Sequence, residues 1–171
     1  PCDHGHVCGP RRGRHARGEA DGIVSGIGAE RGDEQEPDPV SRAAKVRAAA
    51  ADLGLTINTG YGMPEQYNVI SPDPAIRQAG IDFSRKLIDL SNEAGAKVFG
   101  GMIYCGWGYL TGKMRTADEW RWGVDSYREI AAYAQQNSDL ILGIEPVNRF
   151  ESHFINTAAD ALRFITEVGL P

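Results

Sequence analysis

The sequence predicts an α/β fold in which one helix is followed by three strand–helix units. Apolar segments of strand length recur at a constant spacing, since Val98 lies 42 positions after Thr56 and Leu140 lies 42 positions after Val98. Each apolar segment is followed by an amphipathic stretch of helix length. This alternation is typical of right-handed parallel βαβ units.

The first regular element is predicted to be a helix that begins after Asp38. Asp38 is a favourable N-cap residue, and Pro39 suits the first helical turn. The helix is expected to run through VSRAAKVRAAAADL and to stop at Gly54. A short buried strand, LTIN (55–58), is predicted to follow it.

The middle of the chain predicts a second helix, a second strand and the start of a third helix. Pro72, Asp73 and Pro74 open the second helix, and Gly95 suits its C-terminal cap. The apolar run KVFGGMIY (97–104) is predicted to be the second strand. Thr116 and Glu119 have the spacing of a capping box, which predicts that a third helix begins there.

The last strand–helix unit is predicted from residue 140 onward. LILGIEPV (140–147) is the expected strand, and Thr157 with Asp160 can cap the helix that follows. The inner face of that helix is predicted to consist of apolar side chains at helical spacing: Ala161, Ile165 and Val168. Gly169 and Pro171 are expected to end it.

The chain divides into a head of residues 1–40 and a regular part of residues 41–171. The head is rich in Gly and Arg and has no Phe, Trp or Tyr, so it is predicted to be mostly disordered. The regular part fits a doubly wound sheet or a (β/α)8 barrel. The barrel is favoured because no G-x-G-x-x-G loop joins a strand to a helix. A full barrel takes about 250 residues, so a partial barrel of about three βα units is expected.

Composition and charge argue against several classes of protein. The net charge of −5 argues against a nucleic-acid partner, and no apolar run is long enough to span a membrane. The first residues lack the apolar core of a secretory signal, and three cysteines form no disulfide framework. A cytoplasmic enzyme is the default expectation.

Glu145 is the most informative single residue. It lies near the C-terminal end of the third predicted strand, where catalytic groups converge in barrels. A carboxylate on an apolar strand is costly unless a cation or strong hydrogen-bond donors stabilise it. Two alternatives remain open from position alone: a functional carboxylate, or a structural ion pair with a residue such as Arg149.

The run GIEPVNRFESHFINTAADAL resembles the ketose 3-epimerase family, which includes D-tagatose and D-psicose 3-epimerases of the xylose isomerase-like TIM barrel superfamily. The resemblance extends to TGYGMPEQYNVISPDPAIRQAGIDF and GGMIYCGWGYLTGK and covers roughly residues 43–171. It implies a (β/α)8 barrel that binds one divalent ion, usually Mn²⁺ and sometimes Co²⁺ or Mg²⁺. It also implies a small-molecule sugar substrate and a homo-oligomer.

The resemblance implies a role for three residues. Glu145 matches the family's metal ligand, which is also one of two catalytic acid/base residues. Glu151 matches a residue that contacts the substrate, and Trp107 matches a tryptophan that lines the sugar pocket. The implied reaction is metal-assisted proton transfer at C3 of a ketose through an enediolate. The family's remaining ligands are an Asp, a His and a second Glu from later strands, so a truncated chain is expected.

Other functions remain as alternatives. Another isomerase of the superfamily, of hydroxypyruvate or inosose type, is the nearest, and an inactive fragment is a further option. An apurinic-site endonuclease would need a histidine-rich zinc centre and a basic face, whereas the matched region offers one histidine, His153, and an excess of acid.

Three smaller features have less weight. A zinc set is conceivable in the head from residues of alternating position: Cys2, His4, His6 and Cys8. His153 is predicted to be an exposed loop histidine. Cys105 is predicted to be a buried small side chain and not a nucleophile.

Overall fold

A computed structural model of the chain describes residues 38–169, which form four α-helices, three strands and one short 3₁₀ helix. In chain order these elements are α1 (Pro39–Asp52), β1 (Asn58–Gly62), the 3₁₀ helix (Glu65–Tyr67), α2 (Pro74–Glu93), β2 (Val98–Met102), α3 (Ala117–Asn137), β3 (Ile141–Leu142) and α4 (Ala158–Val168). Residues 1–37 of the predicted head, with the conceivable zinc set, lie outside the described residues.

The strands form one parallel sheet in the order β1-β2-β3, which confirms the predicted α/β class. Asn58 pairs with Val98, and Val98 pairs with Ile141. Each helix packs against the next one along the chain, α1 on α2, α2 on α3 and α3 on α4. Helices that contact one another in this sequence lie side by side on one face of the sheet. The arrangement is that of a barrel wall.

The helices begin where their capping residues predict. The Asp38 carboxylate accepts hydrogen bonds from the first turn of α1. Thr116 and Glu119 form the full capping box of α3, each side chain bonding the other residue's backbone N–H. The Thr157 hydroxyl accepts from the Asp160 N–H at the start of α4. Local hydrogen bonding therefore sets these boundaries.

The position of β1 differs from the prediction. The strand occupies Asn58–Gly62, not residues 55–58, and Leu55 is 53% exposed. The paired stretch NTGYG is not an apolar run, so hydrophobicity alone could not locate it. Its place follows from the ladder with β2, which pairs residue 58 with Val98 and ends at Gly62 opposite Met102.

The third strand is shorter than the predicted run of residues 140–147, since only Ile141–Leu142 has strand geometry. Its backbone hydrogen bonds to β2 nevertheless continue past the strand. The Gly143 N–H donates to the Phe99 carbonyl at 2.8 Å, and the Glu145 N–H donates to the Gly101 carbonyl at 3.3 Å. The chain therefore stays alongside β2 as far as Glu145.

The core lies between the sheet and the helices and contains several aromatic rings in tilted or edge-to-face contact. Phe154 and Phe164 are fully buried and meet in an edge-to-face contact, with their ring centroids 5.9 Å apart. The predicted inner face of α4 is therefore wrong at Ile165, which is 46% exposed, because Phe164 fills that place. No helix within residues 38–169 is both long and apolar enough to cross a membrane.

Candidate active site at the carboxyl ends of the strands

On the sheet face opposite the helices, three neighbouring glycines leave the backbone uncovered by side chains of their own. Side chains alternate between the two faces of a strand, and Leu142 packs into the core on the helix side. Gly60 in β1, Gly100 in β2 and Gly143 immediately after β3 lie side by side: a Cβ on Gly60 would lie 3.7 Å from the Gly100 carbonyl oxygen, and one on Gly100 would lie 3.5 Å from the Gly143 carbonyl oxygen. Three neighbouring glycines leave space above this part of the sheet.

Glu145 lies three residues after β3, in the stretch that still hydrogen-bonds to β2, and by alternation along that stretch it shares the face of Gly143. Its backbone is held on both sides, because its N–H donates to the Gly101 carbonyl and its own carbonyl accepts from the Tyr104 hydroxyl at 2.7 Å. The residue is exposed. Within residues 38–169, neither Arg149 nor another residue forms an ion pair or hydrogen bond with its carboxylate. The backbone is fixed while the carboxylate is available to a ligand.

Tyr104 is the anchor of Glu145 and is itself fully buried. Burial raises the pKa of its hydroxyl above the ordinary value of 10.0, and the charges of Glu145 and Glu151 contribute in the same direction. The hydroxyl therefore stays protonated and acts as a hydrogen-bond donor. Its role is to hold the backbone of the candidate catalytic residue.

Trp107 lies in the β2 loop (residues 103–116), and its side chain packs against the end of β1. The backbone N–H of Trp107 donates to the Met63 carbonyl at 2.6 Å. A Cβ on Gly62 would come within 2.7 Å of the indole Cε3. Trp107 is 58% exposed, so much of the ring remains accessible at the carboxyl end of the sheet.

Glu151 lies in the β3 loop (residues 143–157), which contacts the β2 loop. The Asn148 side-chain amide donates to the Glu151 carboxylate. The Gly108 N–H donates to the Glu151 carbonyl at 2.8 Å. The structure thus brings the backbone of Glu151 next to the residue that follows Trp107.

Asn68 supports the site although the sequence gives no local signal for it. It is 1% exposed, and its side-chain oxygen accepts from the Gly106 N–H at 2.9 Å and from the Ile70 N–H at 3.2 Å. Gly106 precedes Trp107 in the β2 loop. Asn68 therefore ties that loop to the segment after β1, across 38 positions of sequence.

His153 is not the exposed loop histidine that the sequence predicts. Its side chain is 9% exposed, with Nδ1 3.0 Å from the Tyr109 carbonyl oxygen and Nε2 3.1 Å from Glu119 Oε1. Glu119 comes from the first turn of α3, 34 positions away. Only tertiary packing brings the two side chains together, so position in a loop could not reveal the contact.

Cys105 is fully buried, as predicted. Its Sγ lies 3.2 Å from the Ser152 hydroxyl. Burial raises the pKa of the thiol to about 12, which leaves it protonated near neutral pH. The residue is a packing element between the β2 and β3 loops and not a nucleophile.

The described residues do not by themselves form a metal site. No three His, Cys, Asp or Glu side chains converge to hold a metal ion within residues 38–169. Glu145 offers one hard oxygen ligand of the kind that Mn²⁺ and Mg²⁺ accept. A hollow of about 260 Å³ lies beside Arg115 in the β2 loop, Trp120 on α3 and Arg163 on α4, and none of the predicted site residues lines it.

The chain matches a known family and several characterised proteins. Residues 21–171 match the family described as xylose isomerase-like TIM barrel. Among curated proteins, the chain is 32% identical over 119 residues to the L-ribulose 3-epimerase of Mesorhizobium japonicum, covering 70% of this chain and 39% of that protein. It is 31% identical over 127 residues to the D-psicose 3-epimerase of Agrobacterium fabrum, covering 74% of this chain and 44% of that protein.

A solved structure gives the same result. A structure of L-ribulose 3-epimerase superposes with a TM-score of 0.72 at 29% identity, covering 81% of this chain and 44% of that chain. The match therefore covers less than half the length of each of these three proteins. The family match over residues 21–171 includes the strands and loops that carry the candidate site.

Proposed function

The chain belongs to the xylose isomerase-like TIM barrel family, and from that premise we propose that the protein carrying it is a ketose 3-epimerase. The observation that carries the proposal is the state of Glu145. Its backbone is held by Gly101 and Tyr104, while its carboxylate is exposed and unpaired among the described residues at the carboxyl end of the sheet. The ketose 3-epimerases among its relatives support this choice of substrate class.

The proposed reaction inverts C3 of a ketose by removing its proton from one face and adding a proton to the opposite face. The neighbouring C2 carbonyl makes the C3–H bond acidic, and the electron pair left at C3 is shared with that carbonyl as an enediolate. Glu145 either removes the C3 proton or supplies the new one, always on one face of the sugar. A second acid/base group on the other face, outside the described residues, completes the inversion.

A divalent cation is part of the proposal as a Lewis acid, with Mn²⁺ preferred and Co²⁺ or Mg²⁺ as alternatives. When bound, such an ion would stabilise the negative charge that develops on the sugar oxygens. Glu145 is the ligand that the described residues offer. Its carboxylate is suited to the task because no cation of the described chain already neutralises it.

Two further residues are proposed to bind the sugar. The Glu151 carboxylate, already oriented by the Asn148 amide, accepts a hydrogen bond from a sugar hydroxyl. The exposed indole of Trp107 offers a flat apolar surface for the C–H face of the sugar. The hydrogen bond from the Gly108 N–H to the Glu151 carbonyl keeps Glu151 and the neighbouring Trp107 at the same end of the sheet.

A sugar isomerase that moves a proton between C1 and C2 is the second candidate, since the same exposed carboxylate at a barrel mouth serves either reaction. The apurinic-site endonuclease alternative is less compatible with the structure. Within residues 38–169 His153 is the one histidine, and both of its ring nitrogens already face protein oxygen atoms. It is not available for a zinc centre.

The test is deuterium incorporation into a ketose in D₂O with added Mn²⁺, followed by NMR. We expect exchange at C3 in the wild-type protein that carries this chain, and its loss in Glu145→Gln. Glu129→Gln, which changes an exposed glutamate on α3, is the matched control and should keep full exchange. Exchange at C1 would identify the isomerase instead, and C3 exchange that persists in Glu145→Gln would refute the assigned role.

A further inference from the structure

We propose that His153 and Glu119 form a protonated clasp that holds the β2 and β3 loops together and so positions Trp107 and Glu151. The clasp consists of the His153 imidazole, the Glu119 carboxylate and the Tyr109 carbonyl. It joins three elements: the β2 loop, the first turn of α3 and the β3 loop. The kinetic part of the inference rests on the proposed function, whereas the structural part does not.

The geometry of the clasp fixes the number of its hydrogens. His153 Nδ1 lies 3.0 Å from the Tyr109 carbonyl oxygen, which can only accept a hydrogen bond. Nε2 lies 3.1 Å from Glu119 Oε1. A neutral imidazole has one N–H, so one of its nitrogens would present a lone pair to an oxygen lone pair. Both contacts are favourable only when an additional proton is bound.

We assign this additional proton to the imidazole, because an imidazole is a stronger base than a carboxylate, and both oxygens of Glu119 then act as acceptors. Oε2 accepts from the Thr116 N–H at 2.7 Å and from the Thr116 hydroxyl at 3.1 Å. The carboxylate therefore acts as an acceptor on the α3 side. If it also accepts from Nε2, the imidazole carries both N–H groups and bears the positive charge. The clasp is then a buried ion pair, with side chains 9% and 7% exposed.

Other polar groups around the ring do not compete for this proton. The Tyr109 ring lies beside the imidazole, with the centroids 5.6 Å apart, and burial raises the pKa of its phenol, so it stays neutral. The Arg115 guanidinium is bound to Asp160 and to the Phe154 carbonyl. The Cys105 thiol, whose pKa burial also raises, contacts Ser152.

The position of the clasp explains its effect on the site. His153 lies two residues after Glu151, and Tyr109 lies two residues after Trp107. Between them the Gly108 N–H donates to the Glu151 carbonyl at 2.8 Å. The clasp thus secures the register in which the two proposed sugar-binding residues face the same end of the sheet. His153 is a positioning residue, since its ring nitrogens are occupied by protein atoms.

Nitrogen-15 NMR of labelled histidine tests the protonation directly. We expect both ring nitrogens of His153 to carry hydrogen at pH 7, with the signals assigned by their loss in His153→Ala. In Glu119→Gln the side-chain amide can donate to Nε2, so the ring should become neutral with one N–H on Nδ1. A neutral ring in the wild type, or no change in Glu119→Gln, would overturn the clasp.

Amide exchange and kinetics test the positioning role. His153→Ala should speed hydrogen exchange of the Gly108 amide and raise KM for the ketose roughly tenfold or more, with a smaller effect on kcat. Glu119→Gln should leave both at their wild-type values, because it retains the hydrogen bonds. Tyr109→Phe keeps the carbonyl and is the matched control. Unchanged Gly108 exchange in His153→Ala would refute the role.

The two proposals fail in different ways. Absence of C3 exchange in the wild type, together with a doubly protonated His153, would reject the epimerase and leave the clasp intact. Mn²⁺-dependent C3 exchange in a protein whose His153 is neutral would reject the clasp and leave the epimerase intact.

Discussion

The indole of Trp107 packs so closely on Gly62 that a Cβ at residue 62 would lie 2.7 Å from Cε3, 3.3 Å from Cδ2 and 3.4 Å from Cζ3. Gly62 ends β1, and Trp107 follows β2, so the contact joins two neighbouring strand ends. The absence of a side chain at residue 62 therefore decides where the candidate sugar-binding ring can lie.

Gly62→Ala should displace this ring. Because the new methyl group would overlap the indole, Trp107 must move, and we expect a shifted Trp107 indole N–H resonance together with a raised KM for the ketose. Gly60→Ala is the control for the resonance, since its Cβ would meet the Gly100 carbonyl oxygen at an ordinary 3.7 Å. An unshifted resonance in Gly62→Ala would contradict the contact.

Gly101→Ala should destabilise the protein more than Gly112→Ala. Both glycines have positive φ, +95° and +70°, which costs an alanine about 1–2 kcal/mol. At Gly112 the new Cβ meets nothing within 4 Å, whereas at Gly101 it would lie 2.6 Å from the Tyr61 carbonyl oxygen. We expect the Gly101 variant to lose at least about 2 kcal/mol more in urea unfolding. Equal losses of unfolding free energy in the two variants would show that β1 can shift away from the new methyl group at no cost.

Asn68→Ala should lower the free energy of unfolding by about 1–3 kcal/mol, because it leaves the buried Gly106 and Ile70 N–H groups without an acceptor. Asn92→Ala on the exposed side of α2 is the matched control, and its effect should stay within about 0.5 kcal/mol. Urea unfolding followed by circular dichroism measures both. Similar losses of unfolding free energy in the two variants would show that Asn68 does not support the β2 loop.

The contribution of Asp160 to stability should depend on pH. The hydrogen bond from Arg115 lowers the pKa of Asp160 below its ordinary value of 3.8, so the folded state favours the ionised carboxylate. The resulting stabilisation is present above 3.8 and is lost as the pH falls through the lowered pKa. Asp160→Asn should therefore be less stable than the wild type at pH 7, and the difference should shrink below pH 3.8. A difference that is constant with pH would contradict this.

Cys105 should resist alkylation in the folded protein. Burial raises its pKa to about 12, so almost no thiolate forms at pH 8. Mass spectrometry of the peptide that contains Cys105 after iodoacetamide treatment should show an unmodified thiol under native conditions. The same peptide should be modified in concentrated urea, which serves as the control. Rapid native alkylation would show that the β2 and β3 loops open readily.

Much of the fold could be predicted from the sequence because its signals are local. The caps of α1, α3 and α4 depend on residues within one helical turn, such as Thr116 and Glu119, and each helix begins where they predict. The spacing of the apolar runs predicted a parallel sheet. The motif around Glu145 pointed to the family, which the match over residues 21–171 confirms. The roles of Glu145, Glu151 and Trp107 stay predictions.

Tertiary structure decided what depends on distant residues. β1 begins at Asn58 because of its pairing with Val98, and Phe164 replaces Ile165 on the inner face of α4 because it packs on the ring of Phe154. His153 is enclosed because Glu119 approaches from 34 positions away. Such contacts exist only after the loops have packed, so the burial and hydrogen bonding of a loop residue cannot be inferred from its immediate neighbours.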